Sequence, residues 1–292
     1  MAVALNEKAM LIKVELKKWG GTKTDKSLSE KIGNDSNTDA SLYSVSKKLT
    51  KSKTLKEIKK IDGQIRTDCI YSGAGYRGFC HAWDNNGNYL LPIDAKDRFE
   101  KRFSEYRDDR EKLVKQFVSE YPDIIKDAQN EFGVNFDAND FPHETEIGEC
   151  FSCEVIKNVV PSTDDIRINL SKDEIDELKA NAKKQEEERV EKITSNVVDK
   201  MTGVLGHFAE KINDGETFRD STIEKVMDLC ETIPALNVGG DAKIHKAHQD
   251  LMDIFAGNDI TAESLRDDKD KAKEIAKKSE EIIDGLEGWL DT

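Results

Sequence analysis

Near the N-terminus, Met10, Ile12, Val14 and Leu16 are separated by Leu11, Lys13 and Glu15. A period of two predicts a strand with one buried face, and Trp19-Gly20-Gly21 ends it. Residues 23–41 are rich in Lys, Ser, Asn, Asp and Thr and support no more than a short helix within a loop. Leu55, Ile58, Ile61 and Ile65 then recur at helical spacing, with Lys56, Lys59 and Lys60 on the outer side. Phe79–Trp83 and Asn88–Leu91 flank Asp84-Asn85-Asn86-Gly87. Asn-Gly between two apolar runs predicts a β-hairpin, because both turn residues tolerate positive φ.

A long amphipathic helix follows, with Phe99, Phe103, Tyr106, Leu113, Val114, Phe117 and Tyr121 on one face. Pro122 is expected to kink or restart it, and Ile124, Ile125, Ala128 and Phe132 carry the stripe to Gly133. From Val134 to Leu170 the apolar residues keep no sustained period, apart from a strand-like run at 151–160. Ser171 with Glu174 has capping-box spacing and opens a helix expected to reach Asn213. Along it Val190, Ile193, Val197, Met201, Val204, Phe208 and Ile212 keep an eleven-residue repeat, which predicts a nearly straight packing seam. Lys183 to Arg189 contain no apolar residue and so cannot be buried.

Three shorter helices are predicted near Asp220–Ile233, stopped at Pro234, near Asp241–Phe255, and near Asp268–Leu290. The last places Ala272, Ile275, Ser279, Ile282, Leu286 and Trp289 on a heptad seam. Such a seam needs a partner helix, either the Val190–Ile212 face of the same chain or another subunit. Together the elements predict an α+β protein. A small strand and hairpin region with a long helix occupies 1–133, a connecting segment 134–170, and a mainly α-helical bundle 171–292.

Composition adds a setting. A chain of 292 residues can bury a core without metal or disulfides, and 36% charged residues imply long solvated helix faces. The net charge of -14 disfavours whole-surface binding to nucleic acid or anionic membrane. Residues 1–60, however, carry 14 Lys and no Arg against 7 acidic residues, so one end is basic and the rest acidic. No charge-free apolar run approaches the ~18 residues of a membrane span, and Met1–Leu5 is too short for a signal-peptide core. Five cysteines, an odd number, read as reduced thiols. A cytoplasmic setting is expected.

The candidate chemical motifs each have a plainer reading. Gly73-Ala74-Gly75-Tyr76-Arg77-Gly78 is a literal G-x-G-x-x-G, but a dinucleotide site needs it to open a helix, and a hairpin follows instead. A protein-kinase reading gains Lys96 but finds no H-R-D and no D-F-G. The loop reads as a glycine-rich entry turn. Cys150-Phe151-Ser152-Cys153 offers one close-spaced thiol pair where a zinc site wants two, even with Cys69, Cys80, His81 and His143 considered, so buried small hydrophobes are the preferred role. His245 and His248 share a helix face with no third ligand. In Asp84–Gly87, the twelfth position of a calcium loop would be Ile93, which rejects calcium. Nothing in the sequence assigns a metal, a cofactor or a catalytic residue.

Lys47, Lys48, Lys51, Lys53, Lys56, Lys59 and Lys60 form a basic stretch with no aromatic residue interleaved. Nucleic-acid contact there would be salt-sensitive and sequence-blind. A solvated face, or contact with an acidic neighbouring subunit, is the favoured reading.

The run Met10–Leu28, in which an alternating strand leads into Trp19-Gly20-Gly21 and then Lys23 and Leu28, resembles an uncharacterised family of proteins encoded by bacteriophages and some bacteria. The later order of a hairpin, a long charged helix and a proline-marked loop is similar to that family over about the first 160 residues. The resemblance implies phage origin and a host-cytoplasmic setting, and it brings no enzyme class.

The expectation is therefore a non-enzymatic phage protein that acts through protein–protein contact or self-association, as an assembly factor, adaptor or inhibitor of a host protein. Ile275, Ile282, Leu286 and Trp289 are the candidate interaction face, with the polar stretch 183–189 beside them. Nucleic-acid binding through Lys47–Lys60 is the rival.

Overall fold

The computed structural model describes residues 5–73, 75–162, 171–214, 220–255 and 260–287. Its strands are β1 (Ala9–Lys17), β2 (Thr22–Thr24), β3 (Ser46–Lys48), β4 (His81–Ala82), β5 (Asn88–Pro92) and β6 (Ser152–Val159). Its helices are α1 (Leu5–Lys8), α2 (Lys26–Asp35), α3 (Lys53–Gln64), α4 (Lys96–Phe132), α5 (Lys172–Asn213), α6 (Asp220–Leu236), α7 (Ala242–Phe255), α8 (Ala262–Asp267) and α9 (Lys269–Glu287). The α+β class holds: a small sheet accompanies a predominantly helical chain.

Contacts divide the described residues into two compact units, and the chain alternates between them. The first takes Met1–Val14, Ile65–Phe103 and Val155–Thr292, the second Glu15–Gln64 and Ser104–Glu154. This differs from a linear division at 133 and 170, because β1, α4 and β6 each run from one unit into the other.

In the first unit the repeat on α5 finds its partners. Val197, Met201, Phe208 and Ile212 share one cluster with Leu205 of the same helix, Val226, Leu229 and Ile233 of α6, Leu251 and Phe255 of α7, and Ile275, Ile282 and Leu286 of α9, and Val204 of the repeat is only partly buried against it. Ile193 and Val190 pack instead with Leu5, Leu11 and Leu90. Phe208 and Phe255 meet edge to face, with ring centroids 5.4 Å apart. The capping box forms as expected: the Ser171 hydroxyl receives the Glu174 amide, and the Ser171 amide donates to Glu174 Oε2 at 2.9 Å.

The sheet order is β4-β5-β1-β6. β1 and β5 pair antiparallel from Ala9 opposite Pro92 to Lys13 opposite Asn88. The hairpin is present, but its turn differs from expectation. Gly87 alone has positive φ, at 82°, while Asp84 Oδ1 accepts from the amides of Asn86 at 2.8 Å and Asn88 at 3.1 Å. An Asx-type carboxylate therefore shapes the loop, and Asn86 keeps an ordinary backbone.

In the second unit Trp19 is central. Its ring lies 5.9 Å from that of Phe117, 5.7 Å from Tyr121 and 6.3 Å from Phe141. The chain leaves it through Gly21 at φ +65°, where a Cβ would come within 2.8 Å of Leu55 Cδ2. Positive φ and a crowded face together account for glycine at that position. Beneath lies a buried ion pair: Arg110 Nε meets Asp62 Oδ1 at 2.7 Å, with the side chains 3% and 1% exposed. Lys18 Nζ takes the other Asp62 oxygen at 2.8 Å, and an Arg110 Nη donates to the Lys17 carbonyl at 2.7 Å.

Both prolines expected to interrupt helices lie inside them. α4 continues through Pro122, and α6 runs past Pro234 to Leu236.

Candidate functional site

The seam residues of α9 are not on the surface. Ile275, Ile282 and Leu286 are buried in the first unit's core, and α5 of the same chain supplies the partner helix. A docking face built from those three side chains is therefore corrected to an internal one. Trp289 lies outside the described residues. The polar stretch 183–189 is largely solvated, with Lys183–Glu187 and Lys184–Glu188 paired one turn apart. Its flank is anchored: Arg189 stacks over Trp83 at 4.1 Å, and Glu186 Oε1 accepts from the Leu5 amide at 3.1 Å.

The lysine stretch is mostly committed within the second unit. Lys47 pairs with Asp140 at 3.1 Å and lies over the Phe132 ring. Lys51 pairs with Glu131 at 2.8 Å and Lys60 with Glu57 at 3.7 Å, while Lys59 donates to the Gly20 carbonyl. Lys48, Lys53 and Lys56 face solvent.

The glycine-rich loop spends its backbone on itself. The amides of Arg77 and Gly78 donate to the carbonyls of Thr67 and Tyr71 at 2.9 and 2.7 Å, and no helix opens at the loop. A Cβ on Gly78 would stand 2.4 Å from the Ile70 carbonyl carbon, so close backbone approach requires that glycine. Cys150 and Cys153 are free and half-buried. Among the described residues no three His, Cys, Asp or Glu side chains converge as metal ligands would. His248 Nε2 donates to the Cys230 carbonyl at 2.8 Å, and His245 faces solvent.

A site that the sequence did not reveal lies in the first unit. Lys200 is 2% exposed, on the buried side of α5, and its ammonium has no hydrogen-bond partner among the described residues. Burial lowers its pKa to about 8; Asp228 opposes that shift, while Arg102 and Arg77 add to it. Asp228, on α6, is held by both arginines: Arg102 Nη2 approaches Oδ1 at 3.2 Å and Arg77 Nε approaches Oδ2 at 3.5 Å. Arg102 is fixed further by donating to the carbonyls of Asp68 and Arg77, each at 3.0 Å, and by stacking over Phe79. The glycine-rich loop thus delivers an arginine, and Gly78 lets it do so.

Arg77, Arg102 and Asp228 line a cleft of about 610 Å³, walled also by Ile223, Met227, Ile260 and Ala262, with the acids Asp220, Glu224 and Glu231 lining it as well. Asp220 is met by Arg266 at 3.4 Å. Behind this group His81 is buried, donates from Nε2 to the Leu236 carbonyl at 3.1 Å, and has its pKa lowered to about 4, chiefly by burial. It is therefore neutral at neutral pH. One sequence signal was available for Lys200. It stands three residues after Val197 and four before Val204, on the stripe that packs α5.

No family model, curated protein or solved structure matches this chain.

Proposed function

We propose that this protein acts by binding another protein, without catalytic chemistry of its own, and that the docking element is the first turns of α5. The observation that carries this reading is that no residue from Lys172 to Arg189 is buried, while Ile175, Leu178 and Ala182 form an apolar stripe at steps of three and four. Leu178 is 40% exposed. Helices in proteins draw most of their stability from a buried face, and here that face is narrow, charge-flanked and without a covering element among the described residues. An amphipathic helix of this form suits a groove on a partner. The acidic charge of -14 and the resemblance of the first 160 residues to phage-encoded proteins fit an adaptor, assembly factor or inhibitor working in a bacterial host. Nucleic acid is the weaker partner class, since four of the seven lysines in the basic stretch already have partners in their own unit.

The test replaces Ile175 and Leu178 together by lysine and compares both proteins in sedimentation and in affinity capture from a bacterial lysate. The wild type is expected to self-associate or to retain a defined protein that the variant loses, with circular dichroism unchanged. Retention of the same species by the variant, or neither behaviour in the wild type, refutes the reading.

A further inference from the structure

We infer that the occupant of the α5 stripe is a second copy of this chain, whose own α5 lies beside it, parallel and in register, over residues 172–185. This rests on the reading of the first turns of α5 as the docking element and names what docks there.

Ile175, Leu178 and Ala182 take the a, d and a positions of a heptad, and isoleucine at a with leucine at d favours a two-stranded parallel pair. The flanks of the stripe fix the direction. Lys172 and Lys179 stand at e positions on one side, and Glu174 stands at a g position on the other. In a parallel pair each g residue meets the e residue five positions later on the other helix, which sets Glu174 against the partner's Lys179, twice by symmetry. Antiparallel pairing brings like flanks together. With Ile175 beside the partner's Leu178, Lys172 meets the partner's Lys179. With Leu178 beside the partner's Ala182, Lys179 meets the partner's Lys179 and Glu174 meets the partner's Glu188. The opposite-charge approach in that register is Lys172 to Glu186, a carboxylate that already accepts from the Leu5 amide of its own chain.

Both charges are ready for that use. Glu174 spends Oε2 on the capping box, which anchors its side chain in the first turn and leaves Oε1 without a bond among the described residues. Lys183 and Lys184 are answered on their own helix by Glu187 and Glu188, at 4.0 and 3.8 Å. Lys179 has Lys183 one turn on and makes no ion pair among the described residues. The pairing also has a natural end. At Glu186 and Arg189 the chain's own Leu5 and Trp83 take over this side of the helix, so two helices meet over about 20 Å. So short an interface makes a weak dimer, with a dissociation constant on the order of 100 µM.

The test is sedimentation of the full chain from about 10 µM to about 1 mM, where the wild type is expected to pass from monomer to dimer. Lys179→Glu sets acid against acid and should weaken the dimer about tenfold, with circular dichroism unchanged. Adding Glu174→Gln, which keeps the capping box, should restore part of the affinity. Under oxidised glutathione, Ile175→Cys and Ala182→Cys are each expected to cross-link with themselves beyond the level of the wild type and its native thiols. A parallel pair brings 175 to 175 and 182 to 182, whereas each antiparallel register holds one of those pairs about 15 Å apart along the axis. A dimer indifferent to Lys179→Glu, or cross-linking at only one of the two positions, overturns the proposal. A wild type that stays monomeric yet captures a lysate protein through Ile175 and Leu178 overturns the pairing and leaves the docking reading standing; one that captures nothing overturns both.

Discussion

His248 and Pro234 are linked through one oxygen. Pro234 has no amide hydrogen, so the Cys230 carbonyl one turn earlier in α6 lacks its usual donor; His248 Nε2 fills that position at 2.8 Å. α6 is therefore able to pass its proline and reach Leu236, where His81 takes the terminal carbonyl at 3.1 Å. Two histidines thus complete one helix.

His248→Phe is expected to destabilise the first unit by about 1–2 kcal/mol, the cost of a half-buried carbonyl left unsatisfied. In a Pro234→Ala background the alanine amide can reach Cys230, so the same substitution should cost less. A double-mutant cycle by urea unfolding reads the difference, expected at about 1 kcal/mol. Strict additivity would show that the two residues act separately.

The ion pair of Asp62 and Arg110 makes a second prediction. Arg110→Met leaves a buried carboxylate with Lys18 as its remaining partner, 31% exposed, and should cost about 3 kcal/mol. Asp62→Leu combined with Arg110→Met removes both charges, and much of the loss should return. Denaturation midpoints of the three variants check this; a double variant as unstable as the single one contradicts it.

Ile282→Asp tests the placement of the α9 seam. With Ile282 inside the core that α5 lines, a carboxylate there should cost 4 kcal/mol or more, roughly the range of unpaired core charges. Loss of the helical circular dichroism signal is the expected outcome. A folded variant that merely dissociates in sedimentation would return the seam to an intermolecular role.

His81 predicts an acid sensitivity. Its folded pKa of about 4 lies below the ordinary histidine value of 6.5, so the unfolded chain binds the proton first. Stability contributed by the neutral ring is complete above pH 6.5 and is lost as pH falls toward 4, by up to about 3 kcal/mol. His81→Gln should remove that slope. Equal losses in wild type and variant between pH 7 and 4.5, measured by urea unfolding, would exclude His81 as the source.

Much of this architecture was legible in the chain. The α5 stripe, the Ser171–Glu174 box and the Asp84–Gly87 hairpin rest on spacing within a few residues, and spacing is what a sequence displays. Partners were not legible. The heptad on α9 was compatible with two neighbours, and only folding chooses Val197 and Met201 over another subunit. Pro234 looks like a break because the donor that compensates it, His248, lies 14 residues downstream. Arg110 sits among Arg107, Asp108 and Asp109 on a helix that reads as solvated, and nothing local marks it as the buried one. Lys200 went unread although its charge stands on the apolar stripe of α5, and Arg77 was visible only as a member of a glycine motif whose backbone does something else.

One cluster gathers Leu5, Ala9 and Leu11 with Leu90, Val160, Ile193 and Val238. On a translating ribosome these side chains must wait until Val238 has cleared the exit tunnel, whereas every residue of the second unit has been polymerised by Glu154. At about 5–20 residues per second that delay lasts several seconds, during which the nascent N-terminal strand is greasy, tethered and open to a chaperone's grip.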